Sequence, residues 1–255
     1  MGNGKIWLTV LWEGRALYSG AFCRVYNEFG WNVYPEVFAG QLLELLEARG
    51  QRVRSALDLG CGTGILCRTL SERGIAAAGV DLSEGMIALA RQQAPLCRFQ
   101  VADMTDFRPE ERFDLVTATG DVLNHVFDEA DLQRIFRNVS GYLDRGGLFV
   151  FDLLRESEIP PDEPFELDYS DAVRAVFRTS RLPGDAVRLH IDVYENGVPV
   201  LAEDILEKLH DPAAVCAMLE RAGLTVERVS DALLPDSGLH SSTWYVLARK
   251  GEITT

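Results

Sequence analysis

Three aspartates, Asp58, Asp81 and Asp103, each stand at the end of a short apolar run, and the first leads into Gly60-Cys61-Gly62-Thr63-Gly64. Glycines at that density let a backbone turn sharply and lie close against a ligand. Their spacing narrows the ligand. A dinucleotide site uses G-x-G-x-x-G; here the third glycine comes one position early, and Ile65 stands where that pattern needs it. Asp58 sets a carboxylate beside the turn, which repels a pyrophosphate and attracts an ammonium or sulfonium. Asp81 offers two oxygens to the two hydroxyls of a ribose. Farther along, Asp121, Asn124 and His125 fall in one short stretch after another apolar run. His125 can take a proton near neutral pH, and Asp121 and Asn124 can orient an acceptor. His210, His240 and Tyr245 are weaker candidates, and His190 reads as structural.

Such residues need a scaffold that gathers strand ends. Val53 to Leu59 reads as a buried parallel strand, and Ile65 to Arg73 as the helix that leaves the glycine turn. Ile75–Asp81, Arg98–Val101, Phe113–Ala118 and Leu148–Leu153 read as further strands. Helices are expected over Leu82–Gln93, with Ser83 as N-cap, and over Asp131–Tyr142. Strand alternating with helix predicts a doubly wound, Rossmann-like α/β sheet. Ahead of it, Tyr18, Phe22, Val25, Tyr26 and Phe29 recur at helical spacing. Pro35 opens a second helix, Glu36–Arg49, whose apolar face is Leu42, Leu43, Leu45 and Leu46 and which Gly50 closes. Behind it, Pro160, Pro161 and Pro164 interrupt the chain. Val173–Ser180, Ala186–Tyr194 and Pro199–Leu209 then read as extended segments. Pro183-Gly184-Asp185 and Asn196-Gly197 are the turns between them, and Asn-Gly is a strong hairpin signal. An inserted antiparallel sheet is expected, followed by a helix over Pro212–Arg221 and strands over Leu224–Val229 and Trp244–Arg249.

Composition excludes some partners. A net charge of −14 over 255 residues repels phosphate backbones, so no nucleic-acid partner is expected. The 47% hydrophobic content suits a globular core. Five cysteines, an odd number without a CxxC pair, fit free thiols in a reducing cytosol. No Cys/His cluster has metal-ligand spacing, so no metal is expected. Ile6–Trp12 is apolar apart from Thr9, too short to span a membrane and followed by no cleavage signal. A cytoplasmic protein without a membrane partner is the expectation.

Leu57-Asp58-Leu59-Gly60-Cys61-Gly62-Thr63-Gly64, with Asp81 and Asp103 in register behind it, resembles the first motifs of class I S-adenosylmethionine-dependent methyltransferases of the small-molecule type. The resemblance covers roughly residues 53–153 and continues more loosely through Leu219-Glu220-Arg221-Ala222-Gly223-Leu224. It implies a seven-stranded, mostly parallel sheet with a final antiparallel strand, plus the inserted sheet, and S-adenosylmethionine as cofactor. Residues 1–50 would be a helical lid, 51–153 the cofactor-binding core, 154–209 the inserted sheet on the acceptor side, and 210–255 the completion of the core. Carried over residue by residue, Asp58, Gly60, Cys61, Gly62 and Gly64 form the turn against the cofactor. Asp81 takes the ribose, Leu82 and Met86 flank the adenosine, and Asp103 with the Met104 amide takes the adenine. Thr119 opens the fourth motif, Thr119-Gly120-Asp121-Val122-Leu123-Asn124-His125, and faces the methionine part. Tyr18, Tyr26 and Tyr34 are lid contacts.

The fourth motif lacks the Asn/Asp-Pro-Pro-aromatic pattern of nucleic-acid amino methylases, and no cysteine follows a proline as cytosine methylases require. A small-molecule acceptor remains, an amine or hydroxyl. The amine is favoured because sugar and glycine N-methyltransferases carry comparable insertions. The alternatives are an aminopropyl transferase, which would prefer the decarboxylated donor, and a non-catalytic cofactor-binding regulator, which would bind without turnover. A nicotinamide dehydrogenase is opposed by the glycine spacing. A monomer or homodimer is expected.

Overall fold

The computed structural model describes residues 22, 23, 26, 27, 30–159, 163–234 and 243–251. In chain order these form α1 (Val33–Ala48), β1 (Ser55–Leu59), α2 (Ile65–Glu72), β2 (Ala76–Asp81), α3 (Glu84–Gln93), β3 (Arg98–Val101) and β4 (Phe113–Ala118). A 3-10 turn, Val122–His125, precedes α4 (Glu129–Tyr142) and β5 (Leu143–Leu154). Then come β6 (Phe165–Asp168), β7 (Val173–Leu182), β8 (Ala186–Glu195), β9 (Val198–Lys208), α5 (Pro212–Arg221), β10 (Leu224–Ser230) and β11 (Thr243–Lys250).

Seven strands build the main sheet in the order β10-β11-β5-β4-β1-β2-β3. β1 pairs in parallel with both β2 and β4, and β11 runs antiparallel to both its neighbours. The chain winds outward from β1 to β3 and then returns to β4. That reversal is the switch point of a doubly wound sheet, where strand ends leave a crevice. The apolar strands read from the sequence are buried because helices cover both faces. α4 and α5 pack Phe136, Val139 and Leu219 against Val116, Phe149 and Phe151 on one face. α1 and α2 pack Leu42, Leu46, Leu66 and Leu70 against Ala56, Leu115 and Leu247 on the other. Ser83 caps α3 as expected, its hydroxyl accepting from Met86 N at 3.3 Å.

The inserted sheet has the order β6-β7-β8-β9, all antiparallel. Asn196 and Gly197 both take the left-handed conformation, at φ 50° and 77°, that a tight hairpin turn requires. Three of its strands match the segments read from the sequence; β6 is additional. Its residues are exposed, so no apolar alternation announces it. Arg174 holds it by ion pairs to Glu166 (2.9 Å) and Asp168 (2.6 Å), and Phe165 stacks on Phe177 with centroids 4.8 Å apart. The buried face of the sheet, Ala175, Phe177, Ile191, Val193 and Ile205, packs on Phe22, Cys23 and Met86. The insertion therefore closes over α3 at the edge of the crevice.

Candidate active site

The glycine turn after β1 is held from several directions. Cys61 N donates to Val80 O at 2.9 Å, and Gly62 N donates to Asp81 Oδ2 at 2.9 Å. Gly60 sits at φ 67°, and a Cβ there would meet the Val122 methyls at 2.6 Å. Glycine is thus needed so that the 3-10 turn can close over the first motif. A Cβ on Gly64 would meet Phe99 at 2.8 Å and Ala90 at 3.0 Å, so this glycine lets α2 pack against α3 and β3. Cys61 is buried against Gly79, inside the sheet's packing. Gly62 faces open space.

That open space is a cavity of about 490 Å³, within the range that holds a nucleoside-sized ligand. Of the residues singled out from the sequence, Tyr26, Gly60, Gly62, Asp81, Leu82, Met86, Asp103, Met104, Thr119 and His125 all line it. Asp58, Cys61, Gly64, Asp121 and Asn124 stand behind that wall. Tyr18 and His240 lie outside the described residues.

The acids differ in their surroundings. Asp81 Oδ1 accepts from Ser83 N at 2.8 Å and Oδ2 from Gly62 N, so both oxygens are oriented while each keeps acceptor capacity. Burial raises its pKa, against which those N–H bonds work. Asp103 takes both its local bonds on Oδ1, from Thr105 N (2.8 Å) and Thr105 Oγ1 (2.7 Å). Asp58 is 4% exposed and accepts from Thr117 Oγ1 at 2.7 Å. Burial pushes it up to about 7, opposed by the Thr117 bond and reinforced by Asp81 and Asp152. Tyr26 is pushed up to about 12 by burial, with Asp81 and Asp121 adding to the effect. An unrelieved excess of buried carboxylates favours a cationic ligand.

The 3-10 turn that closes over the first motif also meets the insertion. Nδ1 of His125 lies 3.0 Å from Leu206 O of β9. A carbonyl can only accept, so Nδ1 carries the proton and the lone pair sits on Nε2. Burial lowers the His125 pKa, which keeps the ring neutral at physiological pH. Asn124 is fully buried; its amide donates to Lys208 O at 2.7 Å and accepts from Leu154 N at 3.1 Å. It braces β9 and β5 around the turn. His210 is tied by Nε2 to Leu123 O at 3.0 Å, His190 pairs with Asp204 at 2.7 Å on the insertion surface, and Tyr245 stacks on Phe38 in the core.

Sequence reasoning missed Asp152. It is fully buried in β5 and accepts from Gly120 N and Asp121 N, both at 2.9 Å, and from Tyr34 Oη at 2.5 Å. An acid inside Phe149-Val150-Phe151-Asp152-Leu153 is the signal that could have found it. Leu206 and Glu207 were also missed, and no local pattern marks them.

A doubly wound sheet with a glycine turn and strand-end acids around one crevice defines a nucleoside-binding α/β domain. Residues 56–147 match the methyltransferase domain family. A dTDP-4-amino-2,3,4,6-tetradeoxy-D-glucose N,N-dimethyltransferase of Saccharopolyspora spinosa is 30% identical over 114 residues, 45% of this chain and 46% of that protein. The chain spans about half the length of the curated relatives it matches. The CcbJ methyltransferase of Streptomyces caelestis shares the fold at a TM-score of 0.79 and 19% identity, covering 93% of this chain and 100% of that one. CalS10, an amino pentose methyltransferase of Micromonospora echinaspora with S-adenosylmethionine bound, does so at 0.73 and 22% identity, over 93% and 100%. Over residues 56–147, and in its fold, the chain is similar to S-adenosylmethionine-dependent methyltransferases. Its site fits that cofactor: Gly62 leaves room where a side chain would intrude, oriented carboxylates face the cavity, and buried acids await a cation.

Proposed function

We propose that this protein transfers a methyl group from S-adenosylmethionine to the amine of a small-molecule acceptor, with an aminosugar as the leading class. The observation that carries the reading is that one cavity is lined by Gly62, Asp81 and Asp103 together with His125, Phe127 and Leu206. Relatives named for aminosugar N,N-dimethylation in Saccharopolyspora spinosa and Streptomyces fradiae support the acceptor class.

When bound, S-adenosylmethionine supplies a methyl group on a sulfonium already activated for displacement. Asp81 would hold the ribose hydroxyls, and Asp103 with the Met104 amide the adenine. Met86 and Leu82 would give apolar contact, and Thr119 would border the methionine part. The work left to the chain is orientation and exclusion of water. Val126, Phe127 and Leu206 give the cavity apolar lining against which an acceptor could rest. An amine arrives protonated and must lose a proton to attack. Nε2 of His125, with its tautomer set by Leu206 O, is the acceptor for that proton. The acidic surface argues against a nucleic-acid partner. Among the described residues no helix is long and apolar enough to cross a membrane. A cytoplasmic monomer or homodimer completes the reading.

The test is incubation with S-adenosylmethionine and a panel of dTDP-aminosugars and their hydroxyl counterparts, with mass spectrometry of the products. Methylated aminosugar together with S-adenosylhomocysteine is expected. Methylation of hydroxyl compounds alone would overturn the amine assignment, and cofactor binding without any turnover would favour a regulatory protein.

A further inference from the structure

We propose that Glu207 of the inserted sheet and Asp121 after β4 form the subsite that takes the protonated amine of the methyl acceptor. The proposal rests on the methyl-transfer reading above and adds the group that recognises the substrate's charge. Asp121 Oδ1 is buried and has no hydrogen-bond partner. Its backbone is fixed: φ is 61°, a left-handed conformation uncommon outside glycine, and its N–H is bonded to Asp152. Strain held by surrounding contacts at a solitary polar side chain is characteristic of a functional position. Asp152, which accepts the Asp121 N–H and two further donors, is itself an acid and adds to the negative field at Asp121.

Glu207 reaches the same place from the other side. The carbonyls on either side of it are both bonded to the 3-10 turn, Leu206 O to His125 and Lys208 O to Asn124. Its position is therefore pinned against the turn that begins at Asp121. Among the described residues no hydrogen bond or ion pair holds its carboxylate. Burial pushes it up to about 7, with Asp152 adding. Asp121 is raised well above its ordinary value by burial, then by Asp152 and Glu207. Among the described residues no cation pairs with either acid, and the two lie close enough for Glu207's charge to act on Asp121. A primary or secondary ammonium supplies up to three N–H donors and one positive charge, whereas a hydroxyl acceptor leaves both acids uncompensated.

The pair adjoins the cavity through its chain neighbours. Gly120 and Val122, on either side of Asp121, line the cavity, as does Leu206 beside Glu207. Tyr26 lines the cavity, and after burial the charges of Asp81 and Asp121 both raise its pKa. Asp121 and Glu207 thus lie behind the lining near His125: Asp121 opens the turn that carries His125, and Glu207 follows Leu206, whose carbonyl is bonded to His125.

The experiment needs no knowledge of the acceptor. Sinefungin carries an amine where the transferred methyl group stands in S-adenosylmethionine, and S-adenosylhomocysteine has nothing there. Affinities of both ligands are measured by titration calorimetry for the full chain, Glu207→Gln and Asp121→Asn, with melting curves to confirm folding. Each variant is expected to lose about tenfold or more in sinefungin affinity while holding S-adenosylhomocysteine within about twofold. Unchanged sinefungin preference in both variants would overturn the proposal. Equal loss of both ligands would also overturn it, placing the acids at the cofactor's own methionine end. A wild-type protein that binds neither ligand would remove the methyl-transfer reading itself.

Discussion

Asp81 and Asp103 line the cavity, whereas Asp121 and Glu207 stand behind its lining, next in the chain to Gly120, Val122 and Leu206. The first two take backbone N–H bonds from residues close by in the chain: Ser83 and Gly62 for Asp81, Thr105 for Asp103. Asp121 and Glu207 come from the turn after β4 and from the inserted sheet, and Asp121 Oδ1 finds no partner. In the first pair the chain orients its own acceptors before any ligand arrives. In the second it brings charges together, and among the described residues no cation neutralises them. The contrast fits a site whose invariant ligand is met by preset geometry and whose acceptor is recognised by charge.

The sharpest way to break that comparison is to remove the insertion. Replacing residues 165–208 by a short turn takes away Leu206 O and Lys208 O, and with them the partners of His125 and Asn124. Turnover on the aminosugar panel is expected to vanish, while S-adenosylhomocysteine binding by calorimetry survives within about tenfold. Retained turnover would put the acceptor elsewhere.

His125→Ala is expected to cut turnover about a hundredfold with cofactor affinity nearly unchanged. Loss of cofactor affinity in that variant would move His125 to the adenosine end.

Asp81→Ala probes the first pair. It should weaken S-adenosylhomocysteine by about 1–3 kcal/mol, because charge-assisted bonds are lost at a preset site. Unchanged affinity would show that preset geometry at β2 does not serve the ribose.

The smallest effect concerns pH. Burial holds Asp58 and Glu207 at about 7, above their ordinary values. Between about pH 4 and 7 the folded state then binds more protons than the unfolded state, so stability falls as pH rises and the penalty is complete above about 7. Melting temperature should drop by roughly 3–10 °C from pH 5.5 to 8, and less in Asp58→Asn. Sinefungin, bringing cations to the cavity, should flatten the same curve; a slope untouched by either change would detach these acids from it.

Periodicity and spacing determined the parallel strands, the glycine turn, the N-cap Ser83, the Asn196-Gly197 hairpin and the acids at the ends of β2 and β3. These are local features: a strand's burial, a turn's φ and a cap's partner depend on residues a few positions away. The tertiary structure decided the rest. It set Cys61 and Gly64 into packing against Gly79, Phe99 and Ala90. It buried Asn124 as a brace between Lys208 and Leu154, and seated Asp152 under Tyr34. It brought Leu206 to His125 and left Asp121 Oδ1 without a partner. Whether a buried polar atom is satisfied depends on groups that meet it from distant parts of the chain, and no local pattern carries that information.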